Sequence, residues 1–391
     1  MILVIGGGIA GSAAALALHR AGFEVTVHEA HPVTGADIGA FLTLASNGIH
    51  ALDQIGAAEA VSGVGFPLTG MRAVDAGGAR SPSVPLGSPG RKLTRYRCVR
   101  RADLGSALQR EVRRRGIPVR HGARLAAVAE GRRGVTAVFA DGSSAHGDYL
   151  VGADGLGSAT RAHLAPGVRP QYAGQYVFYG YTADAGLADA EGETLTMIRG
   201  SRADFGHLRS PAGETYWFAR VRGPAAARDA IATHPPRAWR DRLLPLVAGD
   251  RTRAADIVAA TERELRVTNA LHLPRGVRWR GRRTVLIGDA AHAASPATGQ
   301  GASMAMEDAV ILAKALRDAQ GAPEGLARYE RHRRPRVERN IGMSHMRTAS
   351  GPPERVVVSS ARGWPRSPQR ALSQLDDALR RLLDWDTPLP A

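Results

Sequence analysis

At the start of this chain, apolar positions come in short runs closed by glycine, with helical spacing only between them. Ile2-Leu3-Val4-Ile5 is an apolar block of strand length that leads into Gly6 to Gly11. Ser12 to Ala21 is an Ala/Leu stretch that predicts a helix, and Gly22 is its stop. Glu24-Val25-Thr26-Val27-His28-Glu29 alternates polar and apolar positions and predicts a second strand. Strand, glycine turn, helix and strand in that order open a parallel βαβ unit.

Further along, Asn47 to Ile55 has helical spacing, whereas Val64 to Arg91 is broken by Gly, Pro and Ser. Arg101 to Arg115 predicts a helix with Leu104, Leu108 and Val112 on one face and arginines on the other. Thr136 to Ala140 and Tyr149 to Val151 predict a hairpin-like pair bridged by Asp141-Gly142. From about Pro166 to Val277 helical periodicity fades. Tyr176 to Tyr181, Thr194 to Ile198 and Tyr216 to Val221 predict an antiparallel sheet, with one helix over Arg237 to Ala248. Thr284-Val285-Leu286-Ile287 is again a short buried strand, followed by Gly288-Asp289 and a long helix over Gly301 to Ala319. The remainder is expected to be mainly helical, with breaks around Gly351-Pro352-Pro353 and Gly363 to Pro368. The whole predicts an α/β fold. A Rossmann-like domain (1–165 and 278–336) is interrupted by an inserted antiparallel β-sheet domain (166–277), and a C-terminal helical segment (337–391) follows.

Composition narrows the class. A chain of 391 residues with 44% hydrophobic and 23% charged residues is globular and long enough for two domains sharing a cleft. No apolar run has the length of a membrane span, and the apolar block at the N-terminus is too short for a signal peptide. The expectation is a soluble, cytoplasmic protein, monomer or homodimer. Cys98 is the single cysteine, which excludes an internal disulfide and a cysteine-built metal site; it reads as an inert thiol, and no metal is expected. The formal charge of +16 is carried by scattered arginines, with Lys92 and Lys314 the only lysines. No basic run is interleaved with aromatics, so the charge argues for attraction to anionic cofactors and not for nucleic acid.

Three motifs carry the chemistry. In Gly6-Gly7-Gly8-Ile9-Ala10-Gly11, Gly6 permits the tight turn, Gly8 lets a pyrophosphate approach the backbone, and Gly11 lets helix and strand pack closely. Glu29, at the end of the second strand, supplies a carboxylate for the ribose hydroxyls of an adenosine. This motif alone does not separate NAD from FAD. The second, Gly152-Ala153-Asp154-Gly155-Leu156-Gly157-Ser158-Ala159-Thr160-Arg161, follows a mid-chain strand; the third, Gly288-Asp289-Ala290-Ala291-His292, continues through Ser295-Pro296-Ala297-Thr298-Gly299-Gln300-Gly301. An Asp just past a buried strand can accept a ribityl hydroxyl. The helix start at Gly299-Gln300-Gly301 offers N–H groups to the negative charge of a reduced flavin.

With these motifs in this order, the chain resembles the single-component flavoprotein aromatic hydroxylases that share the p-hydroxybenzoate hydroxylase fold, from Met1 to roughly Arg336. The resemblance implies that Gly6, Gly8, Ala10, Gly11 and Glu29 hold the ADP half of FAD, and that Arg101 meets the ribityl-phosphate region. It implies that Asp154, Gly155 and Arg161 serve FAD and NAD(P)H, that Gly288 and Asp289 bind the ribityl chain, and that Pro296, Gly299, Gln300, Gly301 and Ala302 line the isoalloxazine ring. Taken outside that resemblance, Asp154-Gly155 is a turn and Arg161 a helix-surface charge. His292, beside the ribityl-binding Asp, reads as structural, and Glu307-Asp308 as a helix-surface or capping pair.

The implied activity is hydroxylation of an aromatic or phenolic molecule with NADPH or NADH and molecular oxygen, through a flavin C4a-hydroperoxide kept from water. Substrate contacts are expected from the inserted sheet, at some of Tyr179, Tyr181, Met197, Arg199, His207, Arg209, Trp217 and Arg220, since alternation lets only part of them face the flavin. His207 is the candidate proton acceptor; the alternative for it is simple exposure. Competing readings are a halogenase, a flavin reductase or a non-enzymatic flavin sensor. The halogenase segment Trp-x-Trp-x-Ile-Pro is absent, Trp279 and Trp364 lie in other contexts, and neither Lys92 nor Lys314 is placed for that chemistry.

Overall fold

The computed structural model describes residues 1–33, 40–87, 96–183, 186, 193–349 and 376–390. Lys92, Trp364 and the breaks around Gly351 and Gly363 lie outside the described residues.

The expected βαβ start builds a five-stranded parallel sheet. Its strand order is Thr284–Leu286, Tyr149–Gly152, Ile2–Ile5, Val25–His28 and Val119–Arg120. Helix Ile9–Arg20 crosses between its first two strands, and Ala13 to Leu18 in it are wholly buried. A helix apolar on every side is a core helix, and this one lies between Arg101–Arg114 and the long helix Gly301–Asp318. The strand Thr284–Leu286, late in the chain, pairs with the mid-chain strand, so the α/β unit closes after the intervening sheet.

That second sheet has seven strands in the order Leu265–His272, Gln171–Thr182, Thr215–Arg222, Ala203–Arg209, Thr194–Arg199, Gly70–Asp75 and Val84–Pro85. Two of these come from the region read as irregular: Gly70–Asp75 joins in parallel beside Thr194–Arg199. The sheet therefore draws on chain outside 166–277. Its far face is covered by three helices, Arg228–Thr233, Pro236–Val247 and Ala254–Ala259, where the sequence predicted one. A three-stranded sheet of Phe41–Leu44, Tyr96–Arg100 and Phe66–Leu68 lies against the near face.

The predicted hairpin is corrected. Val135–Phe139 turns at Asp141-Gly142 into Ser144–Gly147, while Tyr149–Gly152 belongs to the parallel sheet. Asp141 fixes the turn by accepting the backbone N–H of Ser143 at 2.9 Å. Helix Ala322–Ala349 packs on Gly301–Asp318. Residues 376–390, which include helix Asp377–Leu383, fold back onto the same unit. Lys314 donates to the carbonyls of Leu382 and Asp384, and Arg317 to that of Trp385. Among the described residues no helix is long and apolar enough to cross a membrane.

Candidate active site

The three glycine motifs meet at the carboxyl ends of adjacent parallel strands. Gly6 has φ +100°, and a Cβ there would stand 2.5 Å from the carbonyl oxygen of Ala153, in the second motif. A Cβ on Gly288 would stand 2.9 Å from the side chain of Ala10, in the first. At Gly11 a Cβ would fall 1.8 Å from Gly6 O, which is why helix and turn need glycine there. Gly8 differs from these: a Cβ on it would meet nothing within 4 Å. Its bare backbone faces open space at the start of helix Ile9–Arg20, whose first turn has neither a side-chain cap nor an acidic residue. Unclaimed N–H groups, the positive end of the helix dipole and room for a ligand suit a pyrophosphate.

Glu29 is buried, and its two oxygens accept the N–H of Gly7 at 2.6 Å and of His31 at 2.7 Å. Each carboxylate oxygen retains further acceptor capacity for a ribose hydroxyl. The sequence did not point to Gln109. Its Nε2 donates to Gly7 O at 2.6 Å and fixes the turn from helix Arg101–Arg114. Arg101 opens that helix with an exposed side chain, its backbone N–H bonded to Ala40 O at 3.1 Å.

In the second motif Asp154 is engaged by its own loop, accepting from Ser158 Oγ at 2.5 Å and from the backbone N–H of Thr160 at 3.0 Å. Gly155 supplies the turn with φ +72°. Arg161 is not a surface charge. It is 3% exposed and ties its loop to the third motif, donating to Ala290 O at 3.1 Å and Leu156 O at 2.5 Å.

The third motif ends in a helix start built for an anion. Gly299 is left-handed (φ +65°), and helix Gly301–Asp318 begins with no side-chain cap and no acid in its first turn. A Cβ on Gly301 would come 3.9 Å from Asp289 Oδ1, so these two predicted residues share one corner; Ala302 follows Gly301 in its helix, and Pro296 opens the short helical turn Pro296–Thr298 before it. Ser295, just before, is held by Ser344, Thr348 and Gln175. Gln300 is held from below: Asn47 Nδ2 donates to Gln300 Oε1 at 3.1 Å and to Glu307 Oε1 at 2.6 Å.

Glu307 and Asp308 are corrected from a helix-surface pair to the centre of a buried charge network. Both are wholly buried. Arg333 donates to Glu307 at 2.6 Å and to Asp308 at 2.7 Å, and Arg336 donates to Glu307 at 2.8 Å. Asp308 Oδ2 also accepts the N–H of Gly288 at 2.9 Å and lies 2.5 Å from His292 Nε2. Burial opposes both charges, but the surrounding cations hold both carboxyls below the usual range. His292 is thus a support for the Gly288 turn.

Alternation sorts the substrate candidates. Tyr179, Tyr181, Met197 and Phe218 pack with Phe41, Tyr216 and Leu208 on the near face. Phe41 approaches Tyr179, Tyr181, Tyr216 and Phe218 with ring centroids 5.5–6.2 Å apart. Arg199 and Arg220 share this face by register, since Met197 pairs with Gly206 and Gly206 with Phe218. Trp217 and His207 lie on the other face. Trp217 stacks on Phe205 and donates to Thr261 Oγ1 at 2.9 Å. His207 is 3% exposed beside Phe205 on the helix-covered side, and burial lowers its pKa to about 4. Neither simple exposure nor a place among the near-face rings describes it. Arg209 shares its parity and donates to Gly213 O at 3.2 Å. Cys98 is buried, which pushes its thiol pKa up and fits an inert role. Among the described residues no group of three or more His, Cys, Asp or Glu is arranged to hold a metal.

A sequence profile for the FAD binding domain matches residues 1–344. The chain is 32% identical over 335 residues to aurachin C monooxygenase/isomerase of Stigmatella aurantiaca, covering 84% of each chain. It is 35% identical over 356 residues to 3-amino-4-hydroxybenzoate 2-monooxygenase PtmB3 of Streptomyces platensis, covering 86% of this chain and 84% of that one. Among solved structures, Klebsiella pneumoniae HpxO in complex with FAD and uric acid superposes with a TM-score of 0.79 at 29% identity. It covers 89% of this chain and 88% of the other.

Proposed function

This chain belongs to the FAD binding domain family, as an FAD-dependent monooxygenase of the single-component aromatic hydroxylase type, and we propose that the glycine-lined corner and the aromatic face opposite it form its active site. In this reading Gly6, Gly8, Ala10, Gly11 and Glu29 hold the ADP half of FAD. Arg101, Asp154, Gly155, Arg161, Gly288 and Asp289 frame the middle of the cofactor, and Pro296 to Ala302 meet the flavin ring. The observation that carries it is the meeting of three glycine motifs at the ends of three adjacent parallel strands, with two uncapped helix starts.

Reduced FAD supplies the electrons and the activated oxygen, with NADPH or NADH as reductant and molecular oxygen as co-substrate. The protein's part is to bind, to orient and to exclude water. The rings of Phe41, Tyr179, Tyr181, Tyr216 and Phe218 make a dry wall that positions an aromatic substrate. We divide the chain into FAD-binding parts 1–165 and 278–336, a substrate part 166–277 and a C-terminal segment 337–391. We read it as a cytoplasmic protein. Lys314 is occupied at the C-terminal segment, which leaves it no part at the aromatic face.

The test is direct. Purified protein should release FAD on heating, and aromatic compounds should stimulate NADPH or NADH oxidation with a product heavier by one oxygen atom. Protein that retains tightly bound NAD and no flavin overturns the reading.

A further inference from the structure

Over Gln175 to Thr182 the long strand Gln171–Thr182 pairs residue for residue with Thr215–Arg222, so every second side chain shares a face. Tyr179 and Tyr181 put that face among the aromatic rings, and by the same alternation Gln175 lies on it, near the strand's start. There the strand is irregular. Gly174 is left-handed (φ +77°), and the pairing with Leu265–His272 slips between Tyr172 and Tyr176. An irregularity of this kind re-aims a neighbouring side chain. The side chain here is Gln175, which is buried, and its Nε2 donates to Ser295 Oγ at 3.1 Å.

Ser295 immediately precedes Pro296, and both its carbonyl and its hydroxyl are engaged. Ser344 Oγ donates to the carbonyl, and Thr348 Oγ1 lies 3.3 Å from the hydroxyl, both from helix Ala322–Ala349. Thr348 Oγ1 also donates to Ser344 O at 2.8 Å, which joins the two helix residues to each other. Two residues before Ser295, the carbonyl of Ala293 accepts the N–H of Leu273 at 2.9 Å. The approach to the glycine loop is therefore fastened to the sheet on one side and to the helix on the other. Gln175, Ser295, Ser344 and Thr348 are all buried. Such a cluster adds little net stability over apolar side chains of the same shape, but it specifies one geometry.

We propose that Gln175 is a positioning residue for the flavin ring, acting through Ser295. It ties the turn Pro296–Thr298 and the helix start at Gly301 to the strand that carries Tyr179 and Tyr181. The proposal rests on the monooxygenase reading and adds a mechanical link to it: one strand sets both the seat of the flavin ring and the aromatic face opposite. Without the amide, Ser295 keeps its partners on the helix and loses the sheet. The N–H groups beyond it then lose part of their alignment. Those donors favour the anionic reduced flavin over the neutral oxidised form, so the reduction potential should fall.

The experiment is a dye-linked redox titration of the FAD-loaded protein, with a thermal melt of each sample. Gln175→Met, similar in length and without a donor, should lower the ratio of reduced to oxidised FAD affinity about threefold to tenfold, tenfold being about 30 mV for the two-electron couple. Ser295→Ala, which introduces no new atom to clash, should lower it at least as far. In the Ser295→Ala background Gln175→Met should then add nothing, because its partner is gone. Thr261→Val is the control for stability. It removes the buried bond to Trp217 Nε1 on the far face, and should lower the melting temperature without moving the potential. Hydrogen exchange read by mass spectrometry should quicken over residues 297–303 in Gln175→Met and not in Thr261→Val. If Gln175→Met fails to fold, Gln175→Asn, whose amide falls one methylene short of Ser295, takes its place with the same expectation.

A potential equal to wild type in both single variants, at full flavin occupancy, would overturn the link. So would a Gln175→Met shift that persists in full beside Ser295→Ala, since the amide would then act by another route. A fall in Thr261→Val as large as that in Gln175→Met would reduce the effect to general stability. Flavin content keeps this proposal apart from the reading beneath it. Protein that takes up no FAD loses both, whereas flavin-loaded protein with an unmoved potential loses only the link.

Discussion

Arg333 Nε donates to Asp308 Oδ1 at 2.7 Å with both side chains wholly buried, and that pair connects the helix Ala322–Ala349 to the turn at Gly288. Through Asp308 the contact reaches the N–H of Gly288 and the ring of His292; through Glu307 and Asn47 it reaches Gln300. One charge network thus supports both ends of the third glycine motif from beneath.

Arg333→Met should take the shared cation from two buried carboxylates, leaving Glu307 with Arg336 and Asp308 with only the Gly288 N–H and His292. Breaking a buried pair from one side costs about 3–5 kcal/mol, much more than the pair contributes against an apolar replacement of both partners. Urea denaturation should show that loss at neutral pH. Both carboxyls are held low in the folded protein, so their contribution is present above the ordinary carboxylate range and lost as pH falls below it. The variant should therefore lose part of the acid sensitivity along with the stability. A loss under about 1 kcal/mol would mean the network is dispensable.

His207 should act on stability and not on turnover. Its folded pKa is lowered to about 4 by burial, against an ordinary value of 6.5. The unfolded chain therefore takes up this proton first, and stability falls as pH drops from about 6.5 to about 4. Over that window the group contributes on the order of 3 kcal/mol, by the worth of a unit pKa shift. His207→Phe should flatten this part of the stability curve and leave the pH profile of NAD(P)H oxidation in place. A profile that loses an ionisation in His207→Phe would restore the residue to the chemistry.

How much of this was legible beforehand depends on whether the information is local. The glycine turn, Glu29 and the late strand before Gly288 are short-range patterns, and each appears in the structure where the spacing put it. The sequence places His207 and Arg209 in the inserted sheet without bounding their strand, Ala203–Arg209, and gives no strand at Leu265–His272, because Asp, Gly, His and Asn interrupt the alternation. Register with well-formed neighbours decides them. The face occupied by His207 could not be fixed while its strand had no bounds or register, because a shift of one residue exchanges the two faces. Glu307-Asp308 did carry a signal: two acids inside a helix buried from Ser303 to Leu316 require buried partners. The partners Arg333 and Arg336 lie on another helix, and sequence spacing gives no distance to them.

Gly8 and Gly11 should fail in different ways when given side chains. At Gly11 a Cβ would overlap the Gly6 carbonyl, so Gly11→Ala should lower both protein stability and FAD retention. At Gly8 no described atom lies within 4 Å of the new Cβ, so Gly8→Val should fold with nearly unchanged stability. It should nevertheless lose FAD, by about tenfold or more in affinity, because the side chain takes the space assigned to pyrophosphate. Titration of apoprotein with FAD, beside a thermal melt, separates the two. Full FAD affinity in Gly8→Val would move the pyrophosphate elsewhere.

Asn47 gives the sharpest test of the flavin-facing helix start. Its amide bridges Gln300 and Glu307, so it fixes the residue just before Gly301, where the first free N–H groups of helix Gly301–Asp318 emerge. Oriented N–H donors favour the anionic reduced flavin over the neutral oxidised form, and their value depends on being held in place before the charge arrives. Asn47→Ala should leave Glu307 paired to Arg333 and Arg336, so the charge network survives, while Gln300 loses its anchor. The reduced flavin then loses more stabilisation than the oxidised one, and the reduction potential should fall. For a two-electron couple about 30 mV corresponds to about 1.4 kcal/mol, so a partial loss of donor alignment gives a drop of roughly 10–30 mV, readable by dye-linked titration. Gly301→Val should cause a larger fall or expel the flavin, while Gly321→Val, at an exposed position past the helix end, should change nothing at the flavin. A potential that stays level or rises in Asn47→Ala at full flavin occupancy would show that this bridge supports the fold alone.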